Sequence, residues 1–186
     1  MSDPTNDPIF TNSSVYHAIA VQAMAASESA FRENSRPKAD GSPGYVMTLD
    51  PERRSFKQSM IAIVFSGMYI EAQLWLHGCR LLGVDKYGKI DKQPLEMRLQ
   101  PLGISDQKLQ DDLKAFRESR KALVHEKPVP FSTDTSPIRT AQTEAAKAVA
   151  LMELVDNALA SSNTSSQILS HDTPADASAD HPDLLR

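Results

Sequence analysis

Cysteine, glycine and tryptophan are all scarce in this chain of 186 residues: one, seven and one respectively. A single thiol, Cys79, leaves no intramolecular disulfide to form and suits a reducing compartment. So little glycine excludes collagen-like and low-complexity architectures, while an apolar share of 40% is enough for a packed core. The length fits one domain and is short for two. Period-two alternation and internal repeats are missing, so the expected fold is all-α. No charge sign dominates. A net charge of −4 neither requires nor forbids nucleic acid. The opening "MSDPTNDPIF" has acids and prolines where a secretory signal needs a basic start and an apolar run, so a cytoplasmic protein is expected. His77-Gly78-Cys79 lacks the paired Cys/His spacing of a zinc site, and no glycine-rich phosphate loop or dinucleotide fingerprint occurs. Neither metal nor cofactor is expected.

What is present is helical periodicity. Residues 1–12 read as a flexible lead-in. "SSVYHAIAVQAMAASESAF" (13–31) repeats Tyr16, Ile19, Ala20, Ala23 and Met24 at helical spacing. Residues 35–51, rich in Pro, Gly and Asp, read as a long loop. The most apolar stretch is 55–83, with Ile61, Val64, Met68, Ala72, Trp75 and Cys79 on one stripe and Ile63, Ile70, Leu74 and Leu81 widening it. Ser59–Cys79 is long enough to span a bilayer, but Glu71 stands in its middle at a cost of about 2.5–3.5 kcal/mol there. It therefore reads as the central helix of a bundle or a dimer interface, not as a membrane span. A second loop is expected over 83–104. Ser105 is read as the N-cap of a third helix carrying Leu109, Leu113, Phe116, Leu123 and Val124 and ending near His125 before Pro128. Ser136 and Pro137 open a fourth, to about residue 160. The remainder, 161–186, lacks aromatics and reads as a disordered, acidic tail, with four aspartates against Arg186 after His171.

The stretch that carries chemistry is "RKALVHE", 120–126, inside a region with seven Lys or Arg against five acids. Cutting an RNA phosphodiester without a metal needs proton transfer at the 2′-hydroxyl and at the leaving 5′-oxygen, and a cation for the phosphorane-like transition state. Histidine titrates near working pH. Arginine presents a permanently charged fork that matches phosphate oxygens. On a helix Arg120 and His125 stand about 140° apart, at roughly 100° per residue, while Lys121 and His125 stack four apart. Two copies about a two-fold axis would supply a base and an acid together.

A helix that ends in Arg, four intervening residues and His resembles the R-x4–6-H signature of the HEPN domain family, and "RKALVHE" is similar to its R-N-x-x-x-H form. The apolar "MIAIVFSGMYIEAQLWLHG" resembles that family's long central helix, with Glu71–Ala72 as its acid and small residue. The likeness covers roughly 13–160. It implies a four- to five-helix bundle, a homodimer with one composite cleft, and metal-independent RNA cleavage that leaves a 2′,3′-cyclic phosphate. On that basis Arg120 clamps the phosphate, His125 transfers protons and Glu71 orients them. Arg117, Lys121 and Lys127 would line the RNA path. Toxin or phage-defence ribonucleases of this kind work beside an antitoxin or a nucleotidyltransferase partner. Lys121 departs from the usual asparagine after the arginine, which bears on whether the cleft is active.

The competing reading is a non-catalytic helical module that binds RNA, a nucleotide or a protein partner. There His125 only favours the negative end of a helix dipole, and Glu71 pairs with Arg80 or Arg54. Trp75 and Tyr69 could stack on a base, although their spacing within an apolar run reads as core.

Overall fold

The computed structural model describes residues 11–47, 52–124 and 137–171. It is an all-α bundle: α1 (Ser13–Glu33), α2 (Arg54–Leu82), α3 (Val84–Ile90), α4 (Gln107–Val124) and α5 (Pro137–His171), with a small hairpin of β1 (Ser35–Pro37) and β2 (Tyr45–Met47) between α1 and α2. The hairpin pairs antiparallel, Arg36 opposite Val46, within the stretch expected to be a plain loop.

The core is three helices held at close range. Near the start of α2, Ser27 of α1 donates to the Ser55 carbonyl (3.0 Å) and bonds Ser59 Oγ (2.7 Å). Farther along, Tyr16 meets Phe65 and His17 meets Tyr69, so α1 and α2 run antiparallel. α5 runs parallel to α2. Gln142 donates to Ser55, Tyr69 donates to Asp156 (2.6 Å) and His77 bonds Ser162 (3.2 Å), pairs separated by 87, 87 and 85 residues. Burial, reinforced by Asp156, pushes the Tyr69 hydroxyl up to about 12, so it stays a donor. Burial also lowers the His77 pKa, with Arg80 adding to the effect, which keeps a neutral imidazole at the α2–α5 contact.

Small side chains form part of the interior of this layer: Ala20, Ala23, Ala62, Ser66, Ala145 and Ala148 are buried beside the larger Ile63, Ile70, Leu74, Met152 and Val155. Small residues let helix axes approach. Their burial turns the apolar stripe of α2 outward. Ala62, Ile63, Ile70 and Leu74 are buried, whereas Ile61 is exposed and Val64, Met68, Ala72 and Trp75 are only half-buried. By length and composition α2 could cross a membrane, and 44% of its most apolar window is buried in the bundle. Its place is the centre of that bundle, as expected.

Residues 83–104 are not a loop. They form α3 and two 3₁₀ turns, Leu95–Arg98 and Gln100–Leu102. Breakers such as Pro94 and Gly103 keep each piece short, and buried Tyr87, Leu95, Leu99, Leu102 and Ile104 pin the pieces down. α4 buries Leu109, Leu113 and Phe116. Its cap is Asp106, not Ser105: Asp106 Oδ1 accepts from the Leu109 N–H at 3.1 Å, the capping bond to the third helical residue. Pro137 begins α5 as expected, and the helix continues to His171, past the boundary expected at 160. Ser136 and the segment 172–186 lie outside the described residues.

Candidate functional site

The last turns of α4 cross α2 at one charged contact. Arg120 Nη1 donates to Glu71 Oε1 at 2.8 Å. The guanidinium rests on Gly67, one turn before Glu71: a Cβ at Gly67 would stand 2.6 Å from Nη1, 2.9 Å from Cζ and 3.1 Å from Nε. Any larger residue would lift the arginine from α2. Glycine inside a helix costs about 1 kcal/mol relative to alanine, and here it opens the seat that the guanidinium fills.

The contact is partly open to solvent, with 28% of the Arg120 side chain and 45% of the Glu71 side chain exposed. A pair this wet contributes under about 1 kcal/mol. Its consequence is positional. Among the described residues Glu71 is the only hydrogen-bond partner of the Arg120 fork, which carries five N–H donors in a fixed plane. The remaining donors can take phosphate oxygens, and Glu71 biases where the fork rests.

Arg117, one turn earlier, is engaged differently. Its Nε and Nη2 grip both oxygens of Glu96 at 3.1 and 2.8 Å, and the Glu96 side chain is only 12% exposed. The hydrogen bonds from Arg117 hold the Glu96 carboxyl below its usual range. This fork ties α4 to the first 3₁₀ turn through its Nε–Nη2 edge, with Glu118 a further 3.7 Å from Nη2. Lys121 is exposed on the last turn of α4. His125 and Lys127 lie outside the described residues. Glu71 pairs with neither Arg80 nor Arg54; Arg54 bonds Glu33 at 2.9 Å across the α1–α2 end.

A groove of about 440 Å³ opens on the other side of Glu71. α2 supplies Glu71, Ala72 and Trp75, the start of α1 supplies Thr11, Asn12 and Tyr16, and Asp91 and Arg98 close the far end. Of the two aromatics considered for stacking, Tyr69 is core and Trp75 forms a groove wall. Gly67 and the α1 end of the groove were missed from sequence. The signal for Gly67 was available, since a glycine in the middle of the most apolar helix has to be explained by something that approaches its backbone. Among the described residues no group of three or more His, Cys, Asp or Glu side chains could share a metal ion.

No family model, curated protein or solved structure matches the chain.

Proposed function

We propose that the protein is a HEPN-like, metal-independent endoribonuclease that acts as a homodimer, in the manner of a toxin or phage-defence nuclease. The observation that supports this reading is the seating of Arg120, the first residue of the R-x4-H motif, on Gly67 with Glu71 as its partner. A surface arginine that merely closed a helix would have no use for a glycine seat on the neighbouring helix.

In the proposed reaction the 2′-oxygen attacks phosphorus, the bond to the 5′-oxygen breaks, and a 2′,3′-cyclic phosphate and a 5′-hydroxyl result. Arg120 neutralises charge on the non-bridging oxygens. His125 takes the 2′ proton, and the second copy's motif returns one to the leaving oxygen. Lys121 adds a cation on the same edge. Arg117, held by Glu96 through one edge, acts as a strut for α4. An antitoxin or nucleotidyltransferase partner would cover this edge when the nuclease is silent.

The non-catalytic alternative has one observation in its favour. α2 leaves Ile61 and the half-buried Val64 and Met68 outward, an apolar flank of the kind a helical partner covers. The deciding experiment is RNA cleavage in EDTA by wild type, Arg120→Ala and His125→Ala, with analysis of the new 3′ ends. Cyclic phosphate ends and a loss of roughly 10²–10³-fold in each variant, the scale for removing one transition-state donor, support the nuclease. No cleavage of pooled cellular RNA, or equal cleavage by all three, favours the module.

A further inference from the structure

The groove beside Glu71 has a composition that suits one part of an RNA chain. Trp75, the only tryptophan in the sequence, forms its wall. Trp75 is fixed edge-to-face against buried Tyr87, with centroids 5.7 Å apart and planes at 72°, so the indole is pre-set in one orientation. Tyr16 stands on the α1 side of the groove. The polar groups around these rings are carboxylates with capacity to spare. Glu71 bonds Arg120 through Oε1, and Asp91 bonds Arg98 through Oδ1, which leaves one oxygen of each to accept from a ligand. Arg98 is turned inward: its Nε donates to the Gln93 carbonyl at 2.8 Å, and its side chain is only 13% exposed. Asn12 makes no side-chain cap bond to α1.

Each class of ligand meets a different result in such a groove. A phosphate would meet two acceptors and an arginine whose side chain is only 13% exposed. A cation would meet carboxylates already neutralised by their arginines. A flat, neutral group with hydroxyl donors fits both the indole wall and the spare oxygens. From Gly67, on which the Arg120 guanidinium rests, to Trp75 is two helical turns, about 12 Å of rise, a span longer than one nucleotide's phosphate-to-base reach.

We propose that this groove is the nucleoside subsite of the RNA cleft: the base stacks on Trp75, the ribose hydroxyls donate to the rim carboxylates, and the phosphate of a neighbouring nucleotide lies on Arg120. The inference rests on the RNA reading above and names the part of the substrate that the chain grips. Stacking on aromatics is tolerant of sequence, so the subsite would distinguish ribose from deoxyribose more sharply than one base from another.

Because Trp75 is the sole indole, the tryptophan emission of the full-length protein reports on this wall alone. The experiment titrates that emission with a short oligoadenylate, with adenosine and with 2′,3′-dideoxyadenosine, the last two having no bond to cut. RNA binding is followed separately by fluorescence anisotropy of a labelled oligonucleotide. Saturable quenching by oligoadenylate and adenosine is expected, with the dideoxynucleoside weaker by roughly tenfold, the scale of a hydrogen bond to a charged group. Ala72→Arg, which fills the groove from α2, should abolish the quenching. Asn12→Arg does the same from the opposite, exposed rim should Ala72→Arg fail to fold. RNA binding with unchanged Trp75 emission would overturn the subsite and leave the RNA reading standing. Absence of both RNA binding and quenching would overturn the two together, and quenching that survives both arginine variants would overturn the location.

Discussion

Gly67 and Gly78 are both interior glycines of α2, and each lies under a flat group from a neighbouring element. At Gly78 the group is the ring of Tyr87, which is fully buried; a Cβ there would stand 2.1 Å from Cδ2 and 2.2 Å from Cε2 of the ring. At Gly67 the group is the Arg120 guanidinium, at the end of a flexible side chain 28% exposed. The two seats have the same backbone geometry and opposite consequences. Tyr87 cannot move without disturbing Trp75 and α3, and burial pushes its hydroxyl up to about 12 despite the nearby Arg98. Arg120 can swing into solvent at little energetic cost. One glycine holds the fold together and the other holds a charge in position. The difference separates what α2 does for stability from what it does for the proposed chemistry.

The contrast breaks most visibly at Gly78. Gly78→Ala overpacks a buried ring, which typically costs 1–3 kcal/mol and here should lie near the top of that range, about 3 kcal/mol. For a chain of this size that lowers Tm by roughly 6–12 °C, measurable by thermal circular dichroism. An unchanged Tm would mean that the Tyr87 ring has room to slide off α2.

Gly67→Ala comes next and should act in the other currency. Alanine is better than glycine inside a helix by about 1 kcal/mol, and the ion pair it displaces contributes less than that. Stability should therefore stay level or rise slightly. The Arg120 head, pushed off its seat, loses Glu71, and a misplacement of about 1 Å costs roughly 10²-fold in rate. The check is RNA cleavage beside a melting curve on the same sample. Full activity in a folded Gly67→Ala protein would remove the seat from the mechanism.

The helices were legible because their periodicity is strong, and α5 even announced its first residue through Pro137. The direction in which α2 faces was legible in part. Of the expected stripe and its flank, Cys79, Ile63, Ile70 and Leu74 are buried, but Ile61 and Leu81 are exposed and Val64, Met68, Ala72 and Trp75 only half-buried, because the small residues Ala62 and Ser66 also face the core and close helix packing selects for size as well as hydrophobicity. Residues 83–104 looked like loop because proline and glycine interrupt the periodicity before a window long enough to count it. Their leucines, spread over short turns, show their common burial only in three dimensions. At the site, the chemistry of Arg120 and Glu71 was legible one residue at a time. Their meeting across helices 49 residues apart in sequence depends on the crossing of α4 over α2, which no local pattern encodes. The same holds for Arg117, which looked as free as Arg120 until Glu96 was found under it.

That last pair gives the smallest and most specific test, because Arg117 and Arg120 are neighbours on α4 with different employment. The bonds from Arg117 lower the pKa of Glu96 in the folded protein. A carboxyl depressed on folding contributes stability that is present above its unfolded value, near pH 4.3, and that stability is lost as pH falls through the folded pKa. Glu96→Gln removes the titration, so its stability should fall less steeply than that of wild type below about pH 4.3, while near neutral pH it should be the less stable of the two. Urea midpoints of wild type and Glu96→Gln measured from pH 3 to 7 make the check. An acid limb equally steep in both proteins would mean that the grip on Glu96 does not hold α4 in the folded protein, and would return Arg117 to the arginines left free for a phosphate.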